Sequence, residues 1–509
     1  MTAKHEPPLS MIGLGIAAVV GLVHLATAGR YDFFRNELYF IVCGRHPAFG
    51  YVDQPPLVPL IAALTQVGGL HVWLLRLPAA AAAVALVPVT IAVARLLGAN
   101  AMAAAFAGIG AGFAPALMAL TATLGTSTFE PLAWTTVTYF VTRALVNGDR
   151  RAWLFAGISA GIASEAKYGI AIWCIALAIG LACTSGGGVF RLRAVWAAAG
   201  IAALIALPSL VWQQLHGWPF WEVIRNDAPG NLTGSPLTFE IDQILAMNAV
   251  LAPLWLTGVI APFVVARLRA ARPLSAAFVV ATIIVIAAHG KNYYLLGAYP
   301  TMFAVGAVAC QSLALWLKAL WLGAAILNSL AALPLVLPVL PPARLAALLA
   351  NAPLRPRPQE IAAIGAPLTQ VFSDEFGWRT LEARVAGLYA QLPPAERART
   401  ALFAANYGEA AAIDVFGARD GLPPAISPQN QYYLWGARGY DGSVVIAVGG
   451  DAQRWTRWCA SSTVFPFANS PYAMPYERDR PIVVCRGLPV ALPVAWPHLR
   501  RYGILSRRS

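Results

Sequence analysis

Eleven apolar stretches, most of them close to the length that crosses a lipid bilayer, decide what this chain can fold into. They run 9–29, 72–97, 101–121, 131–146, 152–165, 168–183, 194–212, 244–266, 274–289, 293–309 and 319–340. About twenty apolar residues cross a hydrocarbon core as a helix. Within that core every backbone group must find its partner inside the segment, a condition that helices meet. Only 12% of the chain is charged, 58% is hydrophobic and the mean hydropathy is +0.62. A soluble domain carries roughly twice that charge, so a disordered chain and a wholly soluble enzyme are both excluded. The stretch 152–183 is interrupted by Ser164, Glu165, Lys167 and Tyr168. It reads as two short helices meeting near one interface, because charge at mid-bilayer is costly.

Positive charge sets the orientation. With a cytoplasmic N-terminus, the inner loops receive Lys4, Arg95, Arg143, Arg150, Arg151, Arg191, Arg193, Arg267, Arg269, Arg272 and Lys318, opposed by Glu6 and Asp149. The outer side receives nearly all other carboxylates of the first 343 residues. The formal charge of +13 is therefore read as loop topology. Clustered arginine with stacking aromatics on a polar face is absent, and no nucleic-acid partner is expected. Residues 9–28 admit a second reading as a cleaved signal ending at Ala26-Thr27-Ala28. The apolar run is too long for a typical signal core, which favours a retained anchor.

Beyond 343 the pattern changes. The proline-rich run 351–358 reads as a linker. Trp378, Leu381, Val385, Leu388 and Leu392 then fall on one side of a helix, and strand-like runs follow at 400–404, 444–448 and 482–485. The architecture read here is mainly α: a polytopic membrane bundle over 1–343 and a soluble α/β domain over 344–509, outside the cytoplasm. Cys459 and Cys485 both fall in that exported domain, where a disulfide can persist; bonded and free forms stay open. No cysteine or histidine spacing resembles a zinc site. Tyr432, Tyr433 and Trp435 either stack on sugar rings or fill the domain's core, with core favoured.

Three outer segments concentrate polar side chains. Loop 30–71 carries Arg35-Asn36-Glu37, then Arg45 and Tyr51-Val52-Asp53-Gln54-Pro55-Pro56. Its early part reads as an amphipathic helix on the membrane surface, since Phe33, Phe34, Leu38 and Ile41 share a face. The turn Thr126–Pro131 contributes Glu130, with Lys167-Tyr168 as a further pair. The third segment is His289-Gly290-Lys291-Asn292-Tyr293-Tyr294. Singly, each has a bland account: a solvated acid, a snorkelling lysine, an interfacial aromatic belt. Together they set carboxylates able to accept a proton beside lysines able to hold a phosphate, next to apolar helices. Such a set suits a phosphorylated lipid.

The order R-N-E-L-Y-F…G-Y-V-D-Q-P-P-L (35–57), F-E-P-L-A-W (129–134), W-L-F-A-G…A-K-Y (153–168) and K-N-Y-Y…A-Y-P (291–300) resembles bacterial glycosyltransferase family 39. That family sits in the GT-C superfamily with protein O-mannosyltransferases and the lipid A aminoarabinose transferase. N-Y-G-E-A-A-A-I (406–413), L-P-P-A-I-S (422–427) and Y-L-W-G (433–436) resemble the exported domain of one subgroup. The resemblance implies inverting transfer of a sugar from a polyprenyl-phosphate donor to a lipid, glycan or protein acceptor. The reaction would run at the outer face of the cytoplasmic membrane, among its lipids. It implies an acidic pair in the first outer loop. Here that pair reads Asn36-Glu37, so the base role falls on Glu37 or Asp53, with Glu130 a further catalytic acid. Gln54 stands where a relative has lysine, which moves phosphate binding towards Lys167 and Lys291, with Arg35 or Arg45 as alternatives. Asn36, Tyr51, Gln54, Tyr293 and Tyr294 complete the expected substrate contacts. No cofactor is assigned; a divalent ion held by Asp53 and Glu130 is an open alternative. A transporter or non-catalytic binder of a lipid-linked sugar is the competing class, and the lost acid at Asn36 lends weight to the binder.

Overall fold

The computed structural model describes residues 11–184, 187–232, 234–352 and 355–503. Lys4 and Glu6 of the orientation argument lie outside these, as do the first two residues of the 9–29 stretch and two of the proline-rich run. Every one of the eleven apolar stretches carries helix. Among the described residues five helical segments are long and apolar enough to cross a membrane unaided: Val72–Leu96, Arg193–Leu215, Ala266–Ala287, Asn292–Ser312 and Leu315–Val336. The chain is a multi-pass membrane protein. The other stretches form shorter or broken helices, and each break has a local cause.

The run 101–121 divides into Ala101–Phe113 and Pro115–Leu120 because Ala114, preceding a proline, is held extended at ψ 123°. The expected straight span 244–266 is instead a pair, Pro236–Ala246 and Ala249–Val264, bent by 101°. Asn248 makes that corner with φ 73°. Its Oδ1 accepts from Val250 N at 3.0 Å, and its Nδ2 donates to Ala325 O at 2.8 Å and Ser329 Oγ at 2.9 Å. A buried amide at the bend thus satisfies the backbone that the bend frees. The split expected within 152–183 is present, as Arg150–Ala166 and Ile170–Thr184.

The chain packs as two compact units. One comprises Met1–Arg30, Trp73–Pro208 and Thr233–Val339; the other comprises Tyr31–Val72, Ser209–Leu232 and Leu340–Ser509. The C-terminal region thus lies in one unit with two earlier stretches. In the first unit, small residues bring helices together. Gly258 and Gly306 face backbone across the pair Ala252–Val264 and Tyr299–Ala309, and an added Cβ at either would strike the carbonyl of Met302 or Leu254. Without a hydrophobic drive between helices in lipid, such close backbone approach is what holds them.

The second unit carries a four-stranded sheet: β1 (Thr400–Ala404), β2 (Val444–Val448), β3 (Ser461–Phe465) and β4 (Ile482–Arg486), in the order β1-β2-β4-β3. β1 and β2 are parallel, Thr400 opposite Val444, and β4 runs antiparallel to both β2 and β3. Helix Trp378–Gln391 buries Trp378, Leu381, Val385 and Leu388 as the periodicity predicts. Cys459 and Cys485 are bonded, closing the start of the edge strand β3 onto β4. Tyr432 is fully buried and its ring lies edge-on to Trp435 at 4.8 Å, while Tyr433 stacks on Trp496 at 6.0 Å. Tyr432 and Tyr433 pack into the domain's core, the favoured reading, while Trp435 is half-buried beside Tyr432.

The first-loop helix departs from expectation. It spans Arg35–Arg45 and is buried on nearly every face, Arg35 and Glu37 included. It is not a surface amphipathic helix, because within its own unit it packs against both Leu57–Thr65 and Tyr407–Phe416.

Candidate functional site

The sequence-selected residues gather in two clusters, one in each unit. In the helical unit, two helix ends meet. Glu130 opens helix Glu130–Asn147, and Lys167 follows the last turn of Arg150–Ala166. An acid at a helix N-terminus and a cation at a C-terminus are each favoured by the helix dipole. Here they bond to one another, Lys167 Nζ to Glu130 Oε2 at 2.7 Å, with Ser127 Oγ accepting a second bond at 2.8 Å. Thr128 fixes the preceding turn by donating to Leu120 O and Thr123 O at 3.1 and 2.8 Å.

Over this pair stand the aromatics of the third segment. Lys167 Nζ lies 4.4 Å from the ring centre of Tyr294 and 5.5 Å from that of Tyr293. Lys291, itself buried, lies 5.9 Å from the same Tyr293 ring. The two tyrosines pack edge to face at 4.8 Å. Lys291 caps a 3-10 turn, Asn292–Ala298, rather than the α-helix the sequence suggests. Gln243 Nε2 donates to Asn292 O at 2.9 Å, and Asn292 Nδ2 to Asp242 Oδ2 at 3.2 Å, tying that turn to the bent pair. Two lysines near one tyrosine ring, Lys167 ion-paired with Glu130, make an aromatic-lined cluster of charged side chains. That is the chemistry of an anion site with an apolar surround.

In the second unit the acids of the first loop separate into different roles. Glu37 is fully buried, and its Oε2 accepts from Phe34 N at 2.8 Å, closing the first turn of its own helix. Asp53 is half-buried. Its Oδ1 accepts from Tyr39 Oη at 3.0 Å and its Oδ2 from Asn430 Nδ2 at 2.9 Å. Burial pushes the Asp53 carboxyl up to about 6, against the opposing pull of those two donors. A carboxylate poised there is matched to base work near neutral pH.

The remaining first-loop residues bond within the protein. Arg35 forms an ion pair with Asp374 at 3.8 Å and donates to Tyr476 Oη. Its guanidinium also lies 5.4 Å from the ring centre of Tyr407. Asn36 Oδ1 accepts from Tyr407 Oη at 2.9 Å. Tyr51 Oη donates to Cys43 O at 2.9 Å, Gln54 Nε2 to Cys43 Sγ at 3.7 Å, and exposed Arg45 to Asp414 O at 3.1 Å. Tyr39, Ser127 and Asn430 were not singled out by sequence. Tyr39 sits in the quoted R-N-E-L-Y-F run, whereas Asn430 carries no local signal. Among the described residues no group of three or more His, Cys, Asp or Glu side chains is arranged to hold a metal ion.

The family model described as dolichyl-phosphate-mannose-protein mannosyltransferase matches residues 53–212, a segment that begins at Asp53 and takes in Glu130 and Lys167. The crystal structure of ArnT from Cupriavidus metallidurans bound to undecaprenyl phosphate is similar over 93% of this chain and 98% of that one, with a TM-score of 0.61 at 14% identity. The same protein in the apo state gives 0.63 at 14% identity, over 92% and 97%. A Saccharomyces cerevisiae protein O-mannosyltransferase Pmt1–Pmt2 complex bound to the sugar donor matches 41% of this chain and 34% of that one, with a TM-score of 0.31 at 17% identity. No curated protein sequence matches the chain. The resemblance read from the sequence motifs is borne out, in the family model over residues 53–212 and in a fold shared with ArnT along nearly the whole chain.

Proposed function

We propose that this chain, with the fold of a GT-C glycosyltransferase, transfers a sugar from a polyprenyl-phosphate donor to an acceptor hydroxyl at the outer face of the cytoplasmic membrane. The observation that carries the reading is the pair of lysines on the Tyr293 ring at 5.5 and 5.9 Å within an apolar bundle, one of them held by Glu130. A phosphate monoester on a lipid chain fits such a cluster, with its charge on the lysines and its chain among apolar helices. Support comes from the family model over Asp53 to Lys167 and from the ArnT fold, which in that protein holds undecaprenyl phosphate.

The reaction is a single displacement with inversion. The acceptor oxygen attacks the anomeric carbon, its proton passes to Asp53, and the bond from that carbon to the phosphate oxygen breaks. Polyprenyl phosphate leaves as an anion, a charge of the kind that lysine side chains stabilise. Glu37 turns inward to its helix end, so the base role goes to Asp53. Glu130 orients Lys167 rather than moving a proton. Arg35, Tyr51 and Gln54 shape the first loop. In this division residues 1–343 carry the chemistry and 344–509 form the exported portion.

The test uses proteoliposomes, a panel of undecaprenyl-phosphate sugars and a total-envelope extract as acceptor source. Release of undecaprenyl phosphate is expected with at least one donor. Asp53→Asn should abolish it while leaving insertion and thermal midpoint unchanged, and Glu37→Gln should not. General-base help is worth about 10²–10⁴-fold. Because the base form requires loss of a proton near pH 6, the wild-type rate should fall about tenfold per unit below that value. Full activity in Asp53→Asn removes the base assignment. A protein that binds every donor and releases none is a binder.

A further inference from the structure

The acid that the proposed reaction depends on is aimed by a part of the chain far from it in sequence. Residues 429–431 form a short polar clamp. Asn430 sits in the left-handed region at φ 47°, a conformation that costs a non-glycine residue. Three bonds hold it there: its N–H donates to Arg501 O at 2.9 Å, its Oδ1 accepts from Gly503 N at 2.9 Å, and its Nδ2 donates to Asp53 Oδ2 at 2.9 Å. Glycine would make the same turn without strain. What asparagine adds is the side-chain bond to Asp53. The next residue governs the other oxygen indirectly. Gln431 N–H donates to Tyr39 Oη at 3.1 Å, and Tyr39 Oη donates onward to Asp53 Oδ1 at 3.0 Å. The Gln431 side chain also accepts from Val52 N at 3.2 Å, fixing the backbone beside the acid.

Resting on the reading of Asp53 as the base, we infer that Asn430, with Gln431 acting through Tyr39, is the positioning residue that aims the Asp53 carboxylate at the acceptor hydroxyl. A carboxylate offers about four lone-pair sites. The clamp occupies one on each oxygen from the buried side, where Asn430 is 3% and Tyr39 1% exposed. Asp53 itself is only half-buried, and the clamp leaves about two of its lone pairs for an acceptor hydroxyl. Other titratable groups facing Asp53 are Tyr39 and Cys43 of helix Arg35–Arg45, Tyr407 of Tyr407–Phe416, and Asp227 at the end of Pro219–Asp227. Of these, Asp227 opposes ionisation of Asp53. Asn430 therefore works against both burial and a neighbouring acid.

The test separates the two claims. Carbodiimides react with protonated carboxyls, so dicyclohexylcarbodiimide labelling of Asp53 across pH, read by peptide mass mapping of the full chain, reports its protonation without any substrate. The wild-type midpoint is expected at about 6. Asn430→Ala should move it upward by at least half a unit, and Asn430→Asp further, because a second carboxylate replaces the donor. The acid limb of donor release should move with it, and kcat should fall while KM for the donor holds. Should Asn430→Ala fail to fold, the isosteric Asn430→Asp, which keeps the acceptor for Gly503 N, gives the reading. A role confined to structure would lower folded yield and leave the midpoint in place. An unmoved midpoint in both folded variants overturns the inference. Full donor release by Asp53→Asn would instead sink the base reading, whatever the labelling shows.

Discussion

At Gly169 the absence of one methyl group decides whether Glu130 can reach Lys167. A Cβ built there collides with Glu130 Oε1. That carboxylate is 5% exposed, so any shift that clears the methyl moves it within a buried site. Gly169→Ala is therefore expected to push Glu130 off the lysine and leave a charge uncompensated, a loss of about 3–5 kcal/mol when such a pair is fully buried and less here, where the Lys167 side chain is 19% exposed. Lys167 would then lose its fixed position over Tyr294. The KM for donor should rise at least tenfold with kcat much less affected, and Glu130→Gln should reproduce the change. A variant with wild-type KM would show that Glu130 does not hold Lys167 for the donor. Much of this cluster was legible in sequence, because Glu130, Lys167 and Lys291 are charges at the edges of apolar runs, where a charge needs a reason. The roles of Arg35 and Gln54 were not. Both are polar side chains in a polar loop, yet Arg35 spends its charge on Asp374 and Gln54 turns to Cys43. Those partners come from tertiary packing, and no local pattern separates a ligand-binding arginine from a buried structural one.

The sheet shows the same division among elements. β1 and β2 are buried at every position, and such strands read as unbroken apolar runs. β3 reads Ser-Ser-Thr-Val-Phe and is largely exposed, an edge strand with no apolar face to announce it. Its hold on the sheet is β4 alone, reinforced by the Cys459–Cys485 bond. A bridge closing a loop of 26 residues removes chain entropy worth about 3–4 kcal/mol from the unfolded state. Replacing both cysteines with serine should therefore loosen the edge and spare the centre. Hydrogen exchange is expected to quicken in Ser461–Phe465 and in helix Ala452–Trp458, with β1 and β2 unchanged. Uniform protection in the variant would mean that strand pairing alone secures the edge.

For the molecule as a whole, the deciding property is which way it faces, since a polyprenyl-phosphate donor presented outside is useless to acids held inside. Arg95 in the last turn of Val72–Leu96 and the arginines that follow Asn147, Thr184 and Val264 carry the argument, because short basic loops stay cytoplasmic. On the proposed orientation the first loop and the C-terminal region are expected outside together, consistent with a disulfide that a reducing cytoplasm would not maintain. The expectation is checked with single cysteines at exposed positions, in a background where Cys43, Cys174, Cys183 and Cys310 are serine. Phe49→Cys and Arg419→Cys should react with a membrane-impermeant maleimide in intact spheroplasts, whereas Asn147→Cys should react only after permeabilisation; all three sites are exposed. Labelling of position 147 alone in intact cells would invert the topology. It would put Asp53 on the cytoplasmic side and force a donor delivered from within. Labelling of 49 without 419 would part the C-terminal region from the first loop. That result would contradict the Asn430–Asp53 bond, since the two residues could not share a hydrogen bond across a membrane.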